Sequence, residues 1–204
     1  MRQSAKPTAI VLAAGRSSRM GEEHKLLLPW GEKRLVQVVV ETLLEAPLKD
    51  IVVVTGHQRG AVEQLLRDYP LQLVHNPRFG EGMCTSIGAG VEAAGAETGG
   101  YLFALGDMPR VGRKTVAALC AAFSENTDSI IVPTANGQRG NPVVFSSSLR
   151  DELLRLEGDR GAKPLLQRHA DSVVEVAVED RGIFVDVDTP EAYREEIGEA
   201  ERGR

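Results

Sequence analysis

The chain has 204 residues, 42% of them hydrophobic and 26% charged, which is enough for one well-buried domain and short for two. Its 24 basic and 29 acidic side chains give a formal charge of −5, which excludes a nucleic-acid partner recruited by overall charge and leaves anion binding to local clusters. No apolar run reaches the roughly 20 residues that cross a bilayer, and Met1 to Pro7 lacks the apolar centre of a secretion signal, so the expectation is a cytoplasmic protein without membrane contact.

Taken in chain order, the first strand-like run is residues 9–12, and it stops where small residues begin. The stretch Leu12-Ala13-Ala14-Gly15-Arg16-Ser17-Ser18-Arg19-Met20-Gly21 follows, with Lys25 just beyond. Ala13, Ala14 and Gly15 leave almost no side-chain bulk, so the backbone can approach a ligand closely. Two arginines, two hydroxyls and a lysine then share one loop, a composition suited to phosphate oxygens, although a solvated basic loop has the same residues. The small-residue run favours phosphate. Both the Gly-Lys-Ser/Thr ending of the commonest nucleotide hydrolases and the glycine spacing of the dinucleotide fingerprint are absent.

A first helix is expected over Leu35–Leu44, apolar through Leu35, Val38, Val39 and Leu43 and stopped by Pro47. Strand-like runs at 51–54, 71–74, 101–105 and 130–132 alternate with helix patterns near 61–66, 85–94 and 115–123, which predicts crossovers and a mostly parallel sheet. Gly88, Gly90 and Gly95 weaken the helix at 85–94 unless they pack closely against the sheet. After Pro133 the alternation breaks: 134–140 reads as a polar turn, 141–145 as an extended run and 149–156 as a short helix. A strand at 173–178 and an extended run at 184–187 lead to Thr189-Pro190-Glu191. That triplet opens a last helix with a cap, a first-turn proline and an acid at the positive end, before a charged tail expected to fray from Gly198.

Ligands of an open parallel sheet bind beyond the carboxyl ends of the strands. Gly56-His57 sits at such a place and suits a plain turn as well as a contact. Asp107, in Gly106-Asp107-Met108-Pro109, is either a metal ligand or a turn aspartate bonding its own backbone; magnesium takes one or two carboxylates and completes its shell with phosphate and water. Asp188, in Asp186-Val187-Asp188-Thr189-Pro190, is either a second such ligand or support for the next helix. Two acids at strand ends in distant parts of the chain favour the metal. Cys84 and Cys120 lie far apart, which fits a reducing compartment rather than a disulfide or zinc site, and His24, His57, His75 and His169 show no paired ligand spacing.

With these motifs the chain resembles the nucleotidyltransferases, whose opening pattern is a small-residue turn, Gly, a Ser/Arg pair, Met-Gly and a lysine. It is most similar to the molybdenum cofactor cytidylyltransferase branch of the molybdopterin-guanine-dinucleotide-like family, and the resemblance covers nearly the whole chain. Leu105 to Pro109 and Asp186 to Pro190 look like that family's metal motifs, which implies that Asp107 and Asp188 hold Mg2+. The resemblance also implies a nucleotide site of Leu12, Ala13, Ala14, Gly15, Ser17, Ser18, Asn76, Gly82 and Ser86, with Lys25, Arg16 and Arg19 as catalytic residues on the triphosphate. Gly82 to Ser86 is similar to a family Gly-Met-Ser-Ser-Ser segment but departs from it at Cys84 and Thr85, which are read as small packing residues.

Arg139-Gly140-Asn141-Pro142 and Gly158-Asp159-Arg160-Gly161-Ala162 match acceptor-side motifs, implying acceptor contacts from Arg139, Gly140, Asn141, Asp159 and Arg160; read alone they are a hairpin turn and a polar loop. The fold implied is α/β, a three-layer, mostly parallel, Rossmann-like sheet of the nucleotide-diphospho-sugar transferase type. It is expected as one domain over 1–204, with an ordered core of about 8–195 and an acceptor-side insertion or lid at 134–170. The activity implied is Mg2+-dependent transfer of CMP from CTP to molybdopterin, with Ala14's methyl narrowing the base pocket toward a pyrimidine. The alternatives are GTP or ATP as donor, a sugar or polyol phosphate as acceptor, or a non-catalytic role delivering cofactor to a client molybdoenzyme.

Overall fold

The computed structural model describes residues 6–17, 20 and 24–202. Strand β1 (Pro7–Ala13) is followed by a small hairpin, β2 (Pro29–Trp30) and β3 (Lys33–Arg34), and by α1 (Leu35–Leu44). The Gln37 side chain closes the first turn of α1 by accepting the Arg34 N–H at 2.9 Å. Next come β4 (Ile51–Thr55), α2 (Arg59–Leu66), β5 (Gln72–His75), α3 (Met83–Ala94), β6 (Gly100–Leu105) and α4 (Arg113–Glu125). The last part holds β7 (Ile130–Ala135), β8 (Gln138–Arg139), β9 (Val143–Ser146), α5 (Arg150–Leu154), α6 (Lys163–Arg168), β10 (Val173–Ala177) and α7 (Pro190–Arg202). Among the described residues no helix is long and apolar enough to cross a membrane.

The main sheet has the order β10-β7-β9-β6-β1-β4-β5, with β8 paired to β7. Its neighbours are parallel except where β9 runs against β6 and β7 and where β8 turns back on β7. From β1 the chain moves outward to β4 and β5 and then returns to β6 on the other side of β1. That reversal opens a crevice between the carboxyl ends of β1 and β6, where ligands of such sheets bind.

Alternate residues of each central strand feed two cores, so the molecule has three layers. Ala9, Val11, Val53, Leu102, Ala104 and Ile131 face a layer of α1, α2 and α4 through Val36, Val40, Val62, Leu66, Leu119 and Phe123. Ile10, Val52, Val54, Tyr101, Phe103 and Val132 face Ile87 and Val91 of α3, Leu153 of α5 and Leu165 of α6. Both faces being covered, these strands read as continuous apolar runs, which is why they stand out in the sequence. Gly90 of α3 lies flat on β1, since a Cβ there would sit 2.3 Å from Ile10 Cγ2. Gly88 and Gly95 have no such neighbour; Gly95 ends the helix at φ +72° instead.

The last third of the chain adds detail to the expected elements. The extended run expected at 141–145 is present as β9, a buried strand in the middle of the sheet: β6 and β7 pair its two edges, while Val144 faces one helical layer and Val143 and Phe145 the other. Of the extended run expected at 184–187, Phe184 instead ends a 3-10 turn, Arg181–Phe184, in which the Asp180 carboxylate accepts the Gly182 N–H at 2.8 Å, and Val185 beyond it is extended without joining the sheet. Helix α7 continues past Gly198 to Arg202, and α6, which residues 163–168 gave no strong pattern for, is an additional element.

Candidate active site

The crevice is built from the loops that leave β1 and β6. They are joined by a hydrogen bond from the Gly106 N–H to the Leu12 carbonyl at 3.1 Å. After β1, Ala14 and Gly15 turn away from the sheet, and Ser17 takes the left-handed conformation at φ +52°. The Ser17 hydroxyl accepts the Lys25 N–H at 3.2 Å, closing the basic loop on itself and fixing where Lys25 leaves it.

Lys25 reaches back across the crevice. Its Nζ donates to Asp107 Oδ2 and to Asp188 Oδ1, the latter at 2.6 Å, so residues 82 and 163 positions apart meet at one point. Asp107 stands just beyond β6. Asp188 stands just before α7, where the Thr189 hydroxyl accepts the Ala192 N–H at 3.2 Å; Thr189 is therefore the cap, and the Asp188 carboxylate is left to the crevice.

Two carboxylates and one ammonium leave this cluster one negative charge in excess, and its electrostatics follow from that. Burial lowers the proton affinity of Lys25, but the Asp107 and Asp188 carboxylates outweigh it and hold the ammonium above its ordinary range. Burial pushes the Asp107 carboxyl above its ordinary range, Lys25 pulls it back, and Asp188 adds to the rise. Among the described residues no group of three or more His, Cys, Asp or Glu is placed to hold a metal. The pair fits a cation that takes two protein carboxylates and finds its remaining ligands on phosphate and water, and Lys25 Nζ marks where its positive charge would sit.

The cleft around the cluster has a volume of about 580 Å³, within the range of small-molecule sites. Leu12, Ala14, Gly15, Arg16, Lys25 and Leu26 line one side, Phe79 to Met83 with Ser86 another, and Asp107, Asp186 and Asp188 the floor, closed by Gly158 and Asp159. The Arg16 guanidinium lies 5.6 Å from the Phe79 ring centre, bridging the basic loop to the wall that leads into α3. Behind it His57 tilts against Phe79 at 6.2 Å, and buried His24 stacks on His57 at 5.8 Å. At the start of α3 the Met83 N–H donates to Asp159 Oδ1 at 2.9 Å and the Cys84 N–H to the Gly158 carbonyl at 3.1 Å. The loop at 158–161 thus covers the positive end of this helix with a carboxylate.

A model of the MobA-like NTP transferase domain matches residues 9–173, four fifths of the chain and every wall of this cleft except the Asp186–Asp188 floor. The chain belongs to the MobA-like NTP transferase family. It is 28% identical to the molybdenum cofactor cytidylyltransferase of Escherichia coli strain K12 over 90% of this chain and 92% of that protein. It is also 32% identical to the nicotine blue oxidoreductase of Paenarthrobacter nicotinovorans over 90% of this chain and 93% of that one. Rv0371c of Mycobacterium tuberculosis, solved as a complex with manganese, superimposes with a TM-score of 0.81 at 26% identity, covering 95% of this chain and 98% of its own. The protein is a nucleotidyltransferase with the α/β fold of that group.

Of the residues singled out in this MobA-like chain, Leu12, Ala14, Gly15, Arg16, Lys25, Gly82, Ser86, Asp107, Asp159 and Asp188 line the one cleft. Ser18 and Arg19 lie outside the described residues. Ala13 turns its methyl into the opposite core, because successive strand residues point to opposite faces. Asn76 is buried and is not on the cleft wall. Its amide donates to Thr85 Oγ1 at 2.9 Å and Ser86 Oγ at 3.0 Å, bracing α3 against the end of β5. Arg139 pairs with Glu175 on β10 at 2.7 Å, and Gly140 and Asn141 pack against Ile183, whose carbonyl accepts the Asn141 N–H at 2.9 Å; none of the three lines the cleft. Arg160 is exposed beside Asp159, also off the cleft wall. Phe79 also lines the cleft and is not singled out by the sequence, while Gly80 and Glu81, in the run after residues 71–74 that the resemblance places at the nucleotide site, and Asp186, in the second acidic motif, line it without having been given a role.

Proposed function

We propose that this nucleotidyltransferase moves CMP from CTP to the terminal phosphate of molybdopterin and releases pyrophosphate. The observation that carries the reading is Lys25 held between Asp107 and Asp188 at the crevice where the chain reverses direction in the sheet. The cytidylyltransferase named among the relatives supports CTP and the acceptor, and Ala14, whose methyl stands in the cleft wall and leaves room for a pyrimidine more readily than a purine, supports CTP.

A phosphate oxygen of the acceptor attacks the α-phosphorus in line, the bond to the bridging oxygen breaks, and its electrons leave with pyrophosphate. Such a displacement needs alignment and charge neutralisation more than covalent help. Lys25, on a flexible stem, turns from the two carboxylates to the α-phosphate and stabilises the charge that builds there. Arg16, stacked on Phe79 at the cleft edge, takes the leaving pyrophosphate together with Arg19. Backbone at Leu12 to Gly15 holds base and ribose, Gly82 and Ser86 hold the sugar side, and exposed Arg139 and Arg160 with Gly140, Asn141 and Asp159 meet the acceptor. Magnesium, when bound on Asp107 and Asp188, supplies Lewis-acid neutralisation of the phosphates. No general base is needed, because a phosphate monoester is largely ionised at neutral pH.

The deciding experiment is pyrophosphate release with magnesium and molybdenum-loaded molybdopterin, comparing CTP, GTP and ATP. Release with CTP alone is expected. Release with GTP removes the pyrimidine assignment, and silence with all three transfers the search to sugar and polyol phosphates as acceptors.

A further inference from the structure

Lys25, Asp107 and Asp188 come from three separate segments, and each segment is fastened to Arg110. This residue follows Asp107 on the loop between β6 and α4. Its Nε donates to Glu196 Oε2 at 2.6 Å and its Nη2 to the Glu196 carbonyl at 2.6 Å, which anchors it to α7, the helix that starts directly behind Asp188. Its guanidinium also lies over the ring of Trp30 with 5.6 Å to the centroid, on the hairpin that follows the Lys25 turn.

The main chain at the same residue makes a third contact. Gly182 packs so closely on the Arg110 carbonyl that a Cβ there would sit 2.1 Å from the oxygen, and Gly182 opens the run into Asp186 and Asp188. Two further bonds run parallel: the Tyr193 hydroxyl of α7 donates to the Pro29 carbonyl at 2.7 Å, and the Val187 N–H to the Asp107 carbonyl at 2.9 Å. Arg110 and Glu196 expose only 28% and 18% of their side chains, so their ionic bond is weakly screened. Arg110 lines no part of the cleft.

We propose that Arg110 is a positioning residue that sets the separation of the Asp107 and Asp188 carboxylates and the reach of Lys25 toward them. A guanidinium suits this task because one planar group makes two parallel hydrogen bonds at its edge while its face rests on an aromatic ring. The proposal rests on the reading of Asp107 and Asp188 as the cation site.

The test is the affinity for Mn2+ alone, read from the paramagnetic resonance of the free ion, alongside melting temperature, kcat and nucleotide KM. Arg110→Ala is expected to weaken Mn2+ binding and lower kcat, each by about 10- to 100-fold, with nucleotide KM unchanged. Glu196→Gln moves both in the same direction by less, the double variant is no worse than Arg110→Ala, and Arg110→Lys recovers part of the loss by keeping the ion pair without the planar stack. Wild-type Mn2+ affinity and kcat in folded Arg110→Ala, with only the melting temperature lowered, overturn the proposal; if that variant does not fold, wild-type Mn2+ affinity in Glu196→Gln overturns it. Asp107→Asn separates the two levels. If it binds Mn2+ like the wild type, the cation-site reading falls and the proposal with it; if it loses Mn2+ while Arg110→Ala keeps it, only the role of Arg110 falls.

Discussion

The N–H of Val187 donates to the carbonyl oxygen of Asp107 at 2.9 Å, so the two loops that carry the acids of the cleft are hydrogen-bonded to each other through their main chains. A side chain at either position can therefore be changed without releasing its loop.

Asp107→Asn should consequently keep the fold, as judged by circular dichroism and melting, and lose roughly 100- to 1,000-fold in kcat. Turnover near the wild-type level would remove Asp107 from the reaction.

Lys25→Ala should lower kcat by a similar factor of roughly 100 to 1,000 while nucleotide KM changes little, since the ammonium is assigned to charge that develops during reaction. The steady-state constants for CTP decide it: a rise in KM at constant kcat would make Lys25 a ground-state contact.

His24 is buried, stacked on His57, and neither of its ring nitrogens has a hydrogen-bond partner among the described residues. Burial, then the nearby His57 and Lys25 charges, hold its pKa below the ordinary 6.5. Unfolded chains take up this proton near pH 6.5 and folded ones only at lower pH. The contribution to stability is therefore complete above about 6.5 and is lost as pH falls toward the folded-state value. Melting temperatures from pH 7.5 to 5.5 should drop more steeply for the wild type than for His24→Phe, which keeps the stack without the titration; parallel curves would clear His24 of this role.

Gly82 has φ +118°, and a Cβ there would lie 2.4 Å from the Gly158 carbonyl. Gly82→Ala should cost about 1–3 kcal/mol in urea unfolding and raise nucleotide KM, because the loop at 158–161 has to withdraw from the start of α3. An unchanged unfolding midpoint would mean that the loop yields without strain.

What the sequence discloses here is whatever is local. The buried strands announce themselves as apolar runs because both faces are covered, and α1 emerges over Leu35–Leu44 because a helix of that period needs only its own residues. Asp107 and Asp188 are visible because each follows an apolar or extended run. Pairing is not local: nothing in Val143–Ser146 says that it inserts between β6 and β7, since strand order depends on distant partners. For the same reason Arg139 looks available until β10 supplies Glu175, Asn76 looks like a ligand contact until Thr85 and Ser86 take its amide, and Arg110 attracts no notice until Trp30 and Glu196 close on it.

The reversed direction of β9 has an outcome of its own. A parallel strand offers the crevice only the residues that follow it, whereas β9, with Val143 opposite Phe103, brings to that same rim the residues that precede it. The turn entering β9 therefore stands at the same end of the sheet as the loops leaving β1 and β6, but outside the cleft that they line. The hairpin between β7 and β9 can change length or composition without shifting the register of β1 on β6. A lineage with this architecture can vary that hairpin and keep intact the loops after β1 and β6 that enclose the cleft.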